Sequence, residues 1–205
     1  MLKKLGIVKS KNKSYKVFNE CIGSDFLDDK SQPKDYVKNC WEKYKKNYKN
    51  SNNSLNGKIF ELIIYSLLVK EGIAPLHLQA EIAFVPNIIF DAVIYTKENG
   101  PISLSLKTSL RERYKQADLE AVALKYVHRK SQNYLLTMDK SKADSVNEKI
   151  KNGQFLGLDK AILVTSDAFN DFIDKLKSYE LITPGSIQII TASSIITKER
   201  ISECK

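Results

Sequence analysis

Asp91, Lys107 and Glu120 are the residues whose types and spacing could do chemistry together. Two carboxylates offer hard oxygen ligands to a cation such as Mg²⁺. A lysine beside them can orient an activated water or hold negative charge that develops during a reaction. Asp91 stands in Asn87-Ile-Ile-Phe-Asp-Ala-Val-Ile-Tyr95, a β-branched and aromatic run between Pro86 and Glu98-Asn-Gly-Pro101. That run reads as a strand followed by a turn. A bare carboxylate among Ile, Phe and Val points to function, because burying it without a partner is costly; a neighbouring backbone group or lysine is the structural alternative.

The elements around these residues are expected to bring them together. Pro101-Ile-Ser-Leu-Ser-Leu-Lys107 alternates strictly, with Ile102, Leu104 and Leu106 on one face and Ser103, Ser105 and Lys107 on the other. The turn before it closes an antiparallel hairpin, so Asp91 and Lys107 should lie on neighbouring strands, roughly 5 Å apart laterally. Ser109-Leu-Arg-Glu112 is a capping box that predicts a helix from about Leu110. Leu110, Tyr114, Ala117, Ala121 and Leu124 form its buried stripe. Glu120 borders that stripe and can reach toward the sheet, or it is a solvated helix acid. Gln116, one turn earlier, either supports Glu120 or is itself solvated.

These residues resemble the PD-(D/E)XK nuclease superfamily, which holds many type II restriction endonucleases, over roughly Asn56 to Thr165. The usual pattern there is Pro-Asp on one strand and Glu-x-Lys on the next. Here Phe90 precedes Asp91, and Ser105 stands where the second acid is expected. A subgroup of restriction endonucleases carries Ser-x-Lys and supplies the acid from the following helix, and Glu120, about a dozen residues after Lys107, resembles that migrated acid. The resemblance implies Mg²⁺-dependent hydrolysis of double-stranded DNA, with Mn²⁺ as a substitute. It makes Asp91, Glu120 and the Leu106 carbonyl metal ligands, Lys107 the charge-stabilising residue and Ser105 a supporting hydrogen-bonding group. Glu61 resembles the acid that many members carry on the first helix; alternatively it shares a narrow wet stripe with Lys58 and Tyr65. Glu81 competes with Glu61 and Glu120 for the same role. The alternatives are a superfamily nuclease of repair, recombination or a mobile element, and a DNA-binding module without catalysis.

The wider order of elements agrees with that resemblance. Asn56 to Gly72 reads as a buried helix, capped by Asn56 and stopped by Gly72, and Ala74 to Phe84 as a strand. After the hairpin and the capping-box helix come a strand at Asn133–Met138, a helix at Lys142–Lys151 and a strand at Lys160–Thr165. A helix at Ser166–Leu176 and a strand at Ser186–Thr191 complete the series. The expected fold class is α/β: a restriction-endonuclease-like three-layer fold with a central mixed β-sheet flanked by helices. The 205 residues are expected to form a single nuclease-like domain, with a basic helical region at 1–55 and the α/β core at 56–191.

Charge is distributed unevenly. Residues 1 to 58 hold 14 lysines against 6 acids, which is +8 of the overall +9. Lys43-Tyr-Lys-Lys-Asn-Tyr-Lys49 is suited to phosphate contacts through Lys43, Lys45, Lys46 and Lys49, with Tyr44 and Tyr48 available for stacking; a solvated helix face is the alternative. Arg111, Arg113 and Lys115 make a second basic cluster near the candidate site. Double-stranded DNA is thus the expected partner, met by a homodimer because palindromic sites mirror two-fold symmetry. Cys21, Cys40 and Cys204 are odd in number, and neither His77 nor His128 lies at metal-ligand spacing from them, so no zinc site is expected and the thiols should be reduced. No stretch approaches the ~20 apolar residues of a membrane span, and the expected location is cytoplasmic.

Overall fold

The computed structural model describes residues 1–108, 113–184 and 190–204. Three helical elements come first: α1 (Lys13–Cys21), a 3-10 turn (Phe26–Asp28) and α2 (Pro33–Asn47). They are followed by α3 (Asn53–Lys70), β1 (Leu76–Ile82), β2 (Phe90–Thr96), β3 (Gly100–Lys107), α4 (Arg113–Val127) and β4 (Gln132–Thr137). The chain continues through α5 (Lys140–Lys151), β5 (Lys160–Leu163), α6 (Asp167–Ser178), β6 (Ile190–Ile196) and α7 (Lys198–Ser202). From α3 to β6 this is the order read from the sequence.

The strands form one six-stranded mixed sheet in the order β5-β4-β3-β2-β1-β6. β3, β4 and β5 are parallel, while β3-β2-β1-β6 are antiparallel neighbours. The crossovers β3–α4–β4 and β4–α5–β5 step the same way across the sheet, so right-handed connections put α4 and α5 on one face. There Ala117 and Ala121 of α4 meet Leu135 of β4 and Val146 of α5. The opposite face is covered by α3, with α1, α2 and α6 around it, in a larger apolar cluster that includes Leu104, Leu106, Phe60 and Ile63. The protein therefore has the three-layer α/β architecture that its sequence predicts.

Several boundaries differ for physical reasons. The N-cap of α3 is Asn52, whose Oδ1 accepts the N–H of Leu55 at 2.9 Å, not Asn56. An earlier cap brings Leu55 into the core, and the Asn56 side chain instead accepts the Tyr44 hydroxyl at 2.9 Å. β2 starts at Phe90 because Asn87 turns the chain with φ 62° just before it. The last strand begins at Ile190 and runs to Ile196, where Leu76 pairs with Ile196 and Ala80 with Ala192. Of the expected Ser186–Thr191 strand, 186–189 lies outside the described residues, as do Ser109, Leu110, Arg111 and Glu112 of the capping box. Tyr44 requires a correction. It is fully buried, stacked on Tyr48 with centroids 6.1 Å apart, so its ring fills the core and is not available to a nucleic-acid base.

Candidate active site

The hairpin sets the first two side chains. β2 and β3 pair with Ala92 opposite Leu104 and Val93 opposite Ser103, which leaves Asp91 and Ser105 as the next positions outward. Leu106 donates its backbone N–H to Asp91 Oδ2 at 2.7 Å, and Lys107 Nζ donates to the same oxygen at 2.8 Å. The two side chains are 16% and 21% exposed, so the ion pair is partly desolvated and stronger than a surface pair. Both bonds land on Oδ2, so Oδ1 is the oxygen through which Asp91 could take a cation.

Helix α4 brings the third group. Ala117 and Ala121 are buried against Leu135, and Leu135 is the register partner of Ser105. Glu120, flanked by these alanines, therefore lies over the sheet face that carries Ser105. Gln116 Nε2, one helical turn away, donates to Glu120 Oε1 at 2.7 Å, and Gln116 is itself exposed. Burial pushes the Glu120 carboxyl above its ordinary pKa; the Gln116 bond and the Lys107 charge pull it down, and the Asp91 charge pushes it up. Lys107 and Asp91 thus act on Glu120 through space.

Glu61 arrives from the other layer. It is half-buried on α3, with its carboxylate held by Lys58 Nζ at 2.9 Å. Burial raises its pKa, Lys58 opposes that, and Asp91 and Lys107 both contribute across the gap. Lys58 shares a partly exposed side of α3 with Glu61, whereas Tyr65, the third member expected in a wet stripe, is buried. One turn further along, the buried Tyr65 donates its hydroxyl to the main-chain oxygen of Asp91 at 2.8 Å, and Gln79 Nε2 donates to that hydroxyl at 3.2 Å. Neither of these two residues stands out in the sequence as part of a site. The one available signal is that Tyr65 lies four residues after Glu61 in an otherwise apolar helix.

Among the described residues no three Asp, Glu, His or Cys side chains close into a ready-made metal cage. The donor set nonetheless fits Mg²⁺, which binds through one or two carboxylates and completes its shell with water and substrate oxygens. Two carboxyls held partly out of water near Asp91, with raised pKa values, are anionic groups that a divalent cation would compensate. Ser105 is half-buried between Leu104 and Leu106, and Ser103 is buried, donating its hydroxyl to Asn133 Oδ1 at 2.6 Å. The polar side of β3 is therefore covered by α4 and does not face open water. Glu81 is exposed on β1.

The basic residues are less concentrated around the site. Lys43, Lys46 and Lys49 are exposed at the end of α2, whereas Lys45 is engaged with Asn56 at 3.0 Å and lies 5.2 Å from the centroid of the Trp41 ring. The Lys45–Asn56 contact joins this basic segment to the first turn of α3, the helix that carries Glu61. Arg113 opens α4 and Lys115 is exposed on it, while Arg111 lies outside the described residues.

The chain has the restriction-endonuclease fold. A solved complex of the restriction endonuclease PspGI with substrate DNA superposes with a TM-score of 0.59 at 18% sequence identity, over 94% of this chain and 87% of that one. No family model and no curated protein matches the sequence. No helix among the described residues is long and apolar enough to cross a membrane.

Proposed function

We propose that this protein is a metal-dependent endonuclease that hydrolyses phosphodiester bonds of double-stranded DNA, a type II restriction endonuclease acting as a homodimer. The observation that carries this reading is the convergence of Asp91, Lys107, Glu120 and Glu61 at one end of the β2–β3 hairpin, drawn from two strands and from helices on both faces of the sheet. The similarity to a DNA-bound restriction endonuclease supports it.

Asp91 and Glu120 are the proposed metal ligands, with Glu61 and the Leu106 carbonyl as further oxygens. When bound, Mg²⁺, or Mn²⁺ in its place, would supply polarisation of the scissile phosphate and an acidified water as nucleophile. Lys107 is positioned by Asp91 to orient that water or to hold charge accumulating on the phosphate oxygens. Gln116 fixes the Glu120 carboxylate, and Ser105 contributes a hydroxyl where the superfamily pattern has an acid. Lys43, Lys46 and Lys49, with Lys45, Arg111, Arg113 and Lys115, are the proposed backbone contacts, which position the duplex without reading its sequence.

The test is incubation of the purified protein with plasmid and genomic DNA, with and without Mg²⁺. Discrete fragments that require the metal support a restriction endonuclease. A metal-dependent smear points instead to a less specific nuclease of the same fold. Retention of DNA without cutting, in Mg²⁺ or Mn²⁺, would replace the enzyme by a binding module, the reading that Ser105 favours.

A further inference from the structure

β1 is irregular at one residue, and that residue reaches the candidate site. Its pairing with β2 runs from Leu78 opposite Ala92 to Ala80 opposite Phe90, and its pairing with β6 from Leu78 opposite Ser194 to Ala80 opposite Ala192. Gln79 is passed over on both sides. Its φ is 48°, a left-handed conformation that non-glycine residues adopt only when the surroundings enforce it. The position across from it on β2 is Asp91.

The side chain of Gln79 points to what the irregularity does. Its amide donates to the Tyr65 hydroxyl at 3.2 Å, and that hydroxyl donates to the main-chain oxygen of Asp91 at 2.8 Å. A carbonyl in a sheet interior normally finds its donor on the neighbouring strand. Here the donor comes from a helix in another layer. Tyr65 is 3% exposed, so its ring is fixed by packing, and it lies one turn after Glu61 on the same face of α3.

We propose that Tyr65 and Gln79 are positioning residues of the candidate nuclease site: the hydroxyl of Tyr65, held by the Gln79 amide, anchors the Asp91 peptide and thereby aims its carboxylate toward Glu61, Glu120 and Lys107. This rests on the nuclease reading. The same contact docks α3 on β2 and sets the separation of Glu61 from Asp91, so one hydroxyl indexes two carboxylates carried by different layers. The left-handed turn at Gln79 is what lets its amide meet that hydroxyl.

Tyr65→Phe removes the hydroxyl and keeps the ring, and Gln79→Ala and Gln79→Gly remove the amide. Two quantities separate positioning from simple stability: the Mg²⁺ concentration that half-saturates single-turnover cleavage, and the affinity of the DNA-free protein for Mn²⁺ by titration calorimetry. For Tyr65→Phe both should weaken by about 10- to 100-fold, the usual effect of losing a group that orients a metal ligand, with DNA binding in the absence of metal unchanged. Gln79→Ala and Gln79→Gly should shift both in the same direction by a smaller factor. If backbone conformation alone mattered, Gln79→Gly would match the wild type and only Gln79→Ala would suffer, and that pattern would overturn the role given to the amide. Wild-type Mn²⁺ affinity and Mg²⁺ dependence in Tyr65→Phe would overturn the proposal while leaving the nuclease reading intact. A wild-type protein that binds no Mn²⁺ and cuts no DNA would remove both.

Discussion

The most discriminating perturbation is Glu120→Gln, because it opposes function to stability. The carboxylate accepts a bond from Gln116 at 2.7 Å and feels Lys107 and Asp91 from a distance, with burial the largest influence and raising its pKa. A carboxyl whose folded-state pKa is raised destabilises the fold once pH exceeds its unfolded value, and does so fully above its folded value. Replacing it by the isosteric amide should therefore stabilise the metal-free protein at pH 8 and leave it unchanged near pH 3. The gain is no more than about 1 kcal/mol because the group is half-exposed, or about 2–4 °C in melting temperature for a chain of this size. Removing a ligating carboxylate should at the same time raise the barrier by at least about 2.7 kcal/mol, a hundredfold in rate. Single-turnover cleavage and thermal melts at the two pH values, run on Glu120→Gln, Glu61→Gln and Glu81→Gln, give the answer. Near-normal cutting by Glu120→Gln, with a collapse in one of the others, would refute the assignment of the migrated acid.

Asp91→Ala and Lys107→Ala should each abolish cleavage and leave DNA binding measurable in a gel-shift assay; wild-type cutting by either would move the active site elsewhere. Neutralising Lys43, Lys46 and Lys49 should reduce the slope of log affinity against log salt by about 0.9 for each DNA phosphate that these lysines neutralise, whereas an unchanged slope would take this segment out of the interface. Tyr44→Ala should cost about 3–5 kcal/mol in urea unfolding as a core truncation, and a change in DNA affinity at unchanged stability would contradict its burial. Gly157→Ala should be strongly destabilising, since a Cβ there would meet the backbone O of Asp118 at 2.3 Å and the N of Val122 at 2.4 Å; a melting temperature equal to wild type would contradict that close approach of the loop to α4.

How much was legible in the sequence depended on whether the signal was local. The β-branched run around Asp91 and the alternating β3 each formed a strand, and Ala117, Ala121 and Leu124 of the expected α4 stripe are buried. Their meeting point followed from a short turn and one crossover. Local chemistry misled where several residues could play one part: the Asn and Ser run before α3 offers many caps, and Asn52 prevails because it buries Leu55. Composition misled at Tyr44, whose neighbours are all lysine, asparagine or tyrosine yet whose own position faces Asn56 and the core. Asp118 shares a helix with exposed groups but is buried, accepting the N–H groups of Gly157 and Leu158 at 2.9 and 3.0 Å. The Gln79 turn was illegible for a different reason. No residue type in Leu-Gln-Ala announces a left-handed backbone, and the contact that accompanies it comes from Tyr65 of α3, remote in sequence.

The sheet topology explains why an acid carried on a helix could serve in place of one on the strand. Ser105 and Leu135 are paired neighbours on parallel strands, so their side chains leave the sheet on the same face. Leu135 shares a buried cluster with Ala117 and Ala121, which places α4 above that face, and Glu120 lies between those two alanines in sequence. The small alanine side chains allow α4 to approach closely, and Gln116 is hydrogen-bonded to the longer glutamate. A glutamate at 105 would add a third carboxylate beside Asp91 and the half-exposed Glu120, and closely placed carboxylates disfavour one another's ionisation without a cation. On the proposed reading serine at 105 and glutamate at 120 are one choice, and Ser105→Glu should restore cutting to Glu120→Ala while impairing the otherwise wild-type protein. Loss of activity in the double variant, with Ser105→Glu alone fully active, would show that the two positions do not address the same site.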